Sequence, residues 1–257
     1  MRILLTNDDG IFAPGLRALR RELMKIGEVI VVAPATEQSA TGHSVTLNAP
    51  LLVTEVFDDD ETPLGWAVEG RPADCMKLAL LELLAEPPDL VVSGLNAGSN
   101  AGINVLYSGT VAAAIEAAFY HHTAIACSLE YTKDARLDWP RAAEYARKVV
   151  EQIVGHKPVR GSLFNVNIPP LERGPVKGVR VMPQNVSVYK EKFDRRTNPR
   201  GRTYFWTSPE FHCPEPHPDT DVTALAEGFI TVTPLQFNLT NRPMLSEMGH
   251  WSWDLNE

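Results

Sequence analysis

The chain has 257 residues, of which 44% are apolar and 22% charged, and its formal net charge is −8. Such an acidic balance argues against a nucleic-acid polymer as partner, because binding along a phosphate backbone needs a dominant basic face. No window approaches the ~18 uncharged apolar residues of a membrane span, and no basic and apolar leader precedes the first strand, so we expect a cytoplasmic protein without a membrane partner.

The first stretch, RILLTNDDG, joins an apolar run to two adjacent acids. The uncharged run at 3–5 predicts a central strand of a parallel sheet, buried on both faces. Asp8 and Asp9 then follow its carboxyl end, which is the edge where open α/β sheets bind ligands. Neighbouring carboxylates repel each other, and a divalent cation with oxygen ligands would relieve that repulsion. The alternative is a plain turn, since Asn, Asp and Gly are the usual turn formers.

Strands and helices alternate along the next 180 residues. Further strands are predicted at 29–33, 45–47, 51–57, 66–68, 90–92, 123–129, 162–168 and 179–182. Helices are predicted at 14–26, 71–84, 111–119 and 138–153. The acids at 58–61 read as a solvated hairpin tip. This alternation predicts an α/β fold, with a Rossmann-like, mostly parallel sheet and helices on both faces.

Three loops should open on one edge of this sheet, because each follows a parallel strand. They are the Asp8 and Asp9 loop, the loop at 38–43, and the glycine-rich stretch at 93–104 that runs on to Thr110. Together they offer carboxylates, hydroxyls and amides, which suit Mg²⁺, Mn²⁺ or Ca²⁺ better than zinc. His43 is a candidate general acid, although a lone loop histidine is more often a hydrogen-bonded surface residue.

Ser108, Gly109 and Thr110 stand where the small-residue helix begins. Free backbone N–H groups at a helix start attract phosphate, and the two hydroxyls can add donors. An ordinary capped helix start is the alternative, because Ser and Thr cap many helices that bind nothing.

Cys75, Cys127 and Cys213 show no paired spacing, so neither a disulfide framework nor a zinc site is indicated. Cys75 and Cys127 are interpreted as small core residues.

The regular alternation ends near Pro183, which divides the chain into a Rossmann-like core at 1–183 and a C-terminal part at 184–257. Residues 186–217 carry six Lys or Arg and several aromatics, including Phe211, but few aliphatics. We expect an arm or hairpin that packs on another subunit or beside the site, with a surface excursion as the alternative. Its basic and aromatic residues could stack a base or form an oligomer contact. A helix at 219–228, a strand at 229–235 and a docking tail with Trp251 and Trp253 follow.

Several motifs in this order resemble the SurE family of stationary-phase survival proteins. They are ILLTNDDG, the segment around Ser39, GRPADCMKLAL, DLVVSGLNAG followed by YSGTVAAA, and TDVTALAEGFITVTPL. The resemblance implies a Rossmann-like fold with a C-terminal arm and tail exchanged between subunits, in a homodimer or a dimer of dimers. It implies a metal-dependent phosphatase of the 5′-nucleotidase type that acts on nucleoside monophosphates, with 3′-nucleotides and short polyphosphate as further candidate substrates. It also implies one divalent cation per subunit, Mg²⁺ or Mn²⁺, with Ca²⁺ possible in a crystal, on Asp8, Asp9, Ser39 and Asn96.

The resulting hypothesis is hydrolysis of a phosphomonoester by in-line attack of water, with Asp8, Asp9 and Asn96 as catalytic residues. Asp8 or Asp9 would orient or deprotonate the water. The phosphate oxygens would be held by Asn96, Ser108, Gly109 and Thr110.

Three alternatives compete with this hypothesis. A phosphoaspartyl intermediate is one, although Gly10 leaves no DxD pattern to support it. A dinucleotide-binding oxidoreductase is another, although NAGSNAGIN lacks the GxGxxG spacing. A binding module without turnover is the third.

Overall fold

The computed structural model describes residues 1–58, 61–132, 135–207 and 215–253. Residues 59–60 of the predicted acidic turn, Phe211, Cys213 and the last four residues of the tail lie outside the described residues. Over the part of the chain that is described, no helix is long and apolar enough to cross a lipid bilayer.

A nine-stranded sheet organises the described residues. Its strands are β1 Arg2–Thr6, β2 Glu28–Pro34, β3 Val53–Phe57, β4 Pro63–Val68, β5 Leu90–Ala97, β6 Ala124–Leu129, β7 Leu163–Ile168, β8 Val179–Val181 and β11 Ile230–Leu235. They lie in the order β3-β4-β2-β1-β5-β6-β7-β11-β8. Neighbours are parallel except at β3 with β4 and at β7 with β11. The predicted mostly parallel sheet is therefore confirmed.

Helices cover both faces of the sheet. Two of them, α1 Pro14–Leu23 and α4 Trp139–Gly155, pack on one face, and α2 Pro72–Leu78 and α3 Gly109–Phe119 pack on the other. The side chains of β1 show why: Ile3 and Leu5 belong to the core beneath α1 and α4, whereas Leu4 belongs to the core on the opposite face. An uninterrupted apolar run fits a strand that is buried on both sides.

Local chemistry sets the helix ends. Asp138 caps α4 as predicted, since its carboxylate accepts the backbone N–H of Arg141 at 3.2 Å. The helix predicted at 71–84 is α-helical only over Pro72–Leu78 and continues as a π-helical turn over Ala79–Leu83. In that turn the N–H of Leu84 reaches back five residues to the carbonyl of Ala79.

Two further predictions, a strand at 45–47 and the start of a loop at Ser93, were wrong. The segment at 45–47 forms no strand, because Thr46 bonds through its backbone N–H and its hydroxyl to the carboxylate of Asp74, at 3.0 and 2.7 Å, instead of to a neighbouring strand. The loop predicted to start at Ser93 begins later. Residues through Ala97 stay in β5, where Asn96 is paired with Ser128 of β6.

The C-terminal part leaves the sheet and returns to it. The predicted hairpin is formed by β9 Phe193–Thr197 and β10 Thr203–Thr207, which make a separate two-stranded antiparallel sheet. After α5 Asp221–Ala226, β11 enters the main sheet between β7 and β8. The tail carries α6 Arg242–Met248 and two exposed tryptophans in contact, Trp251 and Trp253, whose rings are tilted by 36° with centroids 5.5 Å apart.

Candidate active site

The three predicted loops meet at the carboxyl edge of the sheet, beside the central strand β1. This strand lies between β2 and β5. The chain continues from β1 to β2 on one side and later crosses over to β5 on the other, and open α/β folds bind ligands at the point where the strand order reverses in this way. The loops also bond to each other. The N–H of Gln38 donates to the carbonyl of Asp8 at 2.7 Å, and the N–H of Gly42 donates to the carbonyl of Tyr107 at 3.0 Å.

A cleft of about 490 Å³ opens between these loops. Five of the predicted site residues line it: Asp8, Asp9, Ser39, Asn96 and Ser108. The structure thus brings the four predicted metal ligands into one hollow, together with the residue at the start of α3. Its volume lies within the usual range for a small-molecule site, roughly 300 to 1,000 Å³.

Asp8 forms the buried side of the cleft, with 6% of its surface exposed. Its Oδ1 accepts a hydrogen bond of 2.5 Å from the hydroxyl of Thr110. Burial raises the pKa of the Asp8 carboxyl, and the hydrogen bond from Thr110 opposes that rise. The carboxylate is therefore fixed in position by the first turn of α3.

Asp9 is held more loosely. Its Oδ2 accepts only a long hydrogen bond of 3.4 Å from the N–H of Ala97 among the described contacts. Burial first, and then the neighbouring charge of Asp8, raise the pKa of Asp9 to about 6, and Glu37 adds to the effect. The ionised forms of these two neighbouring carboxylates are therefore both disfavoured, and a positive charge between them would stabilise both.

Ser39 and Asn96 bring neutral oxygens to the same cleft. The hydroxyl of Ser39 donates to Oε1 of Glu37 at 2.5 Å. The amide nitrogen of Asn96 donates to the carbonyl of Gly98 at 2.8 Å, so the amide oxygen is the atom of this side chain that suits a cation.

The residues at the start of α3 have three different positions. Ser108 lines the cleft and caps the helix, since its hydroxyl accepts the N–H of Val111 at 3.0 Å. At Gly109 a Cβ would lie 2.8 Å from the Cβ of Asp8, so the close approach of this helix to Asp8 requires glycine. Thr110 is fully buried and lies behind Asp8. Phosphate binding by Gly109 and Thr110 stays a prediction.

His43 has the hydrogen-bonded role that was the alternative to acid catalysis. Its Nε2 lies 2.6 Å from Oε2 of Glu116, a buried carboxylate on α3, and Nζ of Lys77 lies 3.6 Å from the same carboxyl group. His43 therefore ties the loop that carries Ser39 to α3.

Sequence reasoning did not single out several residues that line the cleft. They are Glu37, Ser99, Asn100, Asn104, Tyr107 and Tyr131. Tyr131 follows β6 at the same sheet edge, so the rule of strand ends could have found it. Glu37 lies within the polar stretch after β2, and its negative charge close to the predicted metal ligand Ser39 could have indicated it.

The donor set suits a hard divalent cation. The described residues contain no group of three or more His, Cys, Asp or Glu side chains that could hold a metal. The cleft instead combines two adjacent carboxylates with a hydroxyl and an amide oxygen, as hard cations prefer. The raised pKa values of Asp8 and Asp9 are the observation that fits, because a cation between them would stabilise both ionised forms.

Comparisons with known proteins agree with the geometry. A family model described as Survival protein SurE matches residues 3–191. A protein of Rhodopirellula baltica named 5′-nucleotidase SurE is 53% identical over 98% of this chain and 99% of its own length. One of the same name from Heliobacterium modesticaldum is 46% identical over 98% and 92%. The crystal structure of the SurE protein from Aquifex aeolicus superposes with a TM-score of 0.82, at 35% identity over 96% of this chain and 98% of that one.

Proposed function

The protein belongs to the SurE family, and we propose that it is a divalent-metal-dependent phosphatase that hydrolyses nucleoside monophosphates. The observation that carries this proposal is the crowded pair of carboxylates, Asp8 and Asp9, in a cleft that also holds the start of α3. The relatives named 5′-nucleotidase give the substrate class.

One cation per subunit, Mg²⁺ or Mn²⁺, would be held by Asp8, Asp9, Ser39 and Asn96. When bound, such a cation supplies Lewis-acid charge to the phosphoryl group and lowers the pKa of a nearby water. The protein contributes the fixed arrangement of oxygens, of which Asp8 is the most rigid because Thr110 holds it.

Asp9 is the better candidate for the general base. A general base needs a carboxylate oxygen that is free to accept a proton from water. Asp9 accepts only the long bond from Ala97 among the described contacts, whereas Oδ1 of Asp8 is occupied by Thr110. Direct attack of water is proposed over a phosphoaspartyl intermediate, because Oδ1 of Asp8 is engaged by Thr110 and both carboxylates are proposed metal ligands. Ser108 and Asn96 line the cleft, and with the backbone of Gly109 they would bind phosphate oxygens.

The nucleoside would lie toward Tyr107 and Tyr131. Their side chains line the cleft and are 54% and 42% exposed, so each has aromatic surface available for stacking. A cleft of this volume has space for one nucleotide, which agrees with monophosphates as substrates. Hydrolysis of 3′-nucleotides and short polyphosphate is proposed as a further activity of the same site.

The deciding experiment measures phosphate release from AMP with and without EDTA, followed by addition of Mg²⁺ or Mn²⁺. We expect activity that EDTA abolishes and either metal restores, and loss of that activity in Asp9→Asn. A matched control is Asp89→Asn, because Asp89 is an exposed acid at the opposite edge of the sheet, where it accepts the N–H of Arg2. Turnover that is unaffected by EDTA would contradict the metal, and AMP binding without turnover would indicate a binding module. The same assay with 3′-AMP and tripolyphosphate tests the further substrates.

The assembly and location are proposed on separate grounds. The exposed aromatic hairpin supports a homodimer, or a dimer of dimers, formed through residues 184–257. The buried, unpaired thiols of Cys75 and Cys127 support a reducing compartment such as the cytoplasm. Sedimentation velocity of the purified chain would test the first proposal.

A further inference from the structure

A buried carboxylate outside the cleft connects the C-terminal arm to the site. Asp221, the first residue of α5, is fully buried. Its Oδ2 accepts the N–H of Gly102 at 2.8 Å, and its Oδ1 accepts the N–H of Asn185 at 2.8 Å. Gly102 belongs to the loop at 98–107, here called the site loop, and Asn185 lies where the arm leaves the core.

The second contact of Gly102 comes from the same direction. The amide nitrogen of Gln184 donates to the Gly102 carbonyl at 2.9 Å, so both polar backbone atoms of this glycine are bonded to the C-terminal part. Gly102 has φ +60, and a Cβ there would lie 2.5 Å from the hydroxyl oxygen of Tyr189. Only glycine fits this junction without displacement of its neighbours.

The arm is tied together at the same place, here called the arm root and comprising Pro183, Gln184, Asn185 and His217. The N–H of Asp221 donates to the carbonyl of Pro183 at 2.9 Å. The side-chain oxygen of Asn185 accepts the N–H of His217 at 3.2 Å, so the outgoing and returning ends of the arm are joined. Asp221 therefore bonds to the arm root through its backbone and through one carboxylate oxygen, and to the site loop through the other.

Gly102 has a direct structural connection to the cleft. It begins a 3₁₀-helix, Gly102–Leu106, which carries Asn104 into the cleft. The carbonyl of Asn104 accepts the N–H of Ser108 at 3.1 Å, and Ser108 caps α3. A shift of Gly102 would consequently move two residues that line the cleft.

We propose that Asp221 is a positioning residue that joins the arm root to the site loop, so that the placement of Asn104 and Ser108 depends on the position of the arm root. The proposal rests on the proposed function of the cleft. Asp221 itself does not line the cleft, and its effect acts through Gly102.

The primary test is Asp221→Asn, which keeps the size of the side chain but replaces one of the two accepting oxygens by an NH₂ group that faces backbone N–H donors. The matched control is Asp219→Asn, because Asp219 is an exposed acid two residues away with φ +60, a conformation that asparagine also adopts. We expect kcat/KM for AMP to fall by about 10- to 100-fold in Asp221→Asn and to stay unchanged in the control. Losses of this size are typical of residues that orient the groups in contact with a ligand without touching it themselves. The loss should arise mainly from a higher KM, because Asn104 and Ser108 line the cleft that would bind the substrate.

A second variant tests transmission from the arm root. Asn185→Ala removes one of the two acceptors of the His217 N–H, the other being the hydroxyl oxygen of Ser187 at 3.2 Å, and it leaves Asp221 intact. We expect faster hydrogen exchange at the amides of 102–106 in Asn185→Ala and in Asp221→Asn, with no change in Asp219→Asn. This readout remains informative if Asp221→Asn folds poorly, because Asn185→Ala removes no buried charge.

The proposal is overturned if folded Asp221→Asn has the kcat/KM of the parent protein, or if exchange in the site loop is unaltered in Asn185→Ala. If the parent protein fails to release phosphate from AMP, the proposed function is wrong, and the exchange experiment still decides whether Asp221 ties the loop to the arm.

Discussion

The cleft and the arm are built in opposite ways. At the cleft, Asp8 and Asn96 are less than 10% exposed, and hydrogen bonds from the same chain hold both. In the arm, Phe193, Phe205 and Trp206 are each about 60% exposed. The site is therefore organised by contacts within one chain, whereas the arm presents apolar surface that the described part of this chain does not cover.

This difference has an energetic cause. The acids of the cleft follow β1, whose backbone is fixed by neighbours on both sides. The arm has only two strands, which is a marginal structure in water without a surface to pack against. Within the hairpin, Arg195 is paired with Phe205 and Arg196 with Tyr204, so each face carries an arginine directly opposite an aromatic ring. We expect that a second copy of the chain supplies the missing surface.

The largest expected effect is on the side of the cleft. Replacing Asp8 with alanine removes a carboxylate from the proposed metal site, and we expect kcat/KM for AMP to fall by about 10³-fold, equivalent to roughly 4 kcal/mol of transition-state stabilisation. Asp89→Ala, at the opposite edge of the sheet, should retain full activity. Circular dichroism and size-exclusion chromatography check that both variants fold. A fully active, metal-insensitive Asp8→Ala would refute the assignment of the site.

A smaller effect is expected at the arm, and on assembly. The double variant Phe205→Ser, Trp206→Ser removes two large exposed rings, and central aromatic residues of an interface typically contribute at least about 2 kcal/mol each, or roughly 30-fold in affinity. Sedimentation velocity should show a shift toward monomer at micromolar concentration. Val159→Ser is the control, because Val159 is an apolar residue outside the arm whose surface is 82% exposed. An unchanged sedimentation coefficient in the double variant would argue that the arm folds back on its own chain.

The sequence alone predicted which residues meet at the cleft better than it predicted the hydrogen bonds that hold them in place. The ends of β1, β2 and β5 converge in any parallel sheet, so the positions of Asp8, Ser39 and Asn96 followed from strand order and from the resemblance to SurE. The local rule also gave the cap of α4 by Asp138.

What could not be predicted depends on pairs that are distant in sequence. Thr46 bonds to Asp74, and the strand that was predicted at 45–47 does not form. The bond from Thr110 to Asp8 joins residues 102 positions apart. Neither bond leaves a periodic pattern, because each depends on how a loop or helix packs against a particular carboxylate.

The hydroxyl of Thr110 offers a finer test of the cleft. Thr110→Val removes the bond to Asp8 while keeping a branched side chain, and we expect kcat/KM for AMP to fall by about tenfold, as for other residues that orient a metal ligand. Thr110→Ser retains the hydroxyl and should restore most of the activity. The apparent activation constant for Mg²⁺ should rise in Thr110→Val if the threonine acts through Asp8. If only the KM for AMP rises, Thr110 contacts the phosphate directly.

The smallest expected effect concerns the cost of assembling the site without its cation. The folded protein raises the pKa of Asp9 from 3.8 to about 6, mainly through burial, so the ionised carboxylate destabilises the metal-free fold above that pH. Between about pH 4 and 6 the folded state binds a proton that the unfolded state does not, and stability in EDTA should therefore rise as the pH falls through this window.

Asp9→Asn removes this penalty. A shift of that size corresponds to about 3 kcal/mol in a dry site, and because Asp9 borders solvent we expect about 1 kcal/mol after screening. In EDTA at pH 8 the Tm of Asp9→Asn should exceed that of the parent protein by about 2 to 4 °C. Addition of Mg²⁺ should raise the Tm of the parent protein more than that of the variant, since the cation stabilises the ionised carboxylate. A lower Tm for the variant in EDTA would mean that Asp9 stabilises the fold by itself, in contrast to a side chain kept at some cost to stability for metal binding.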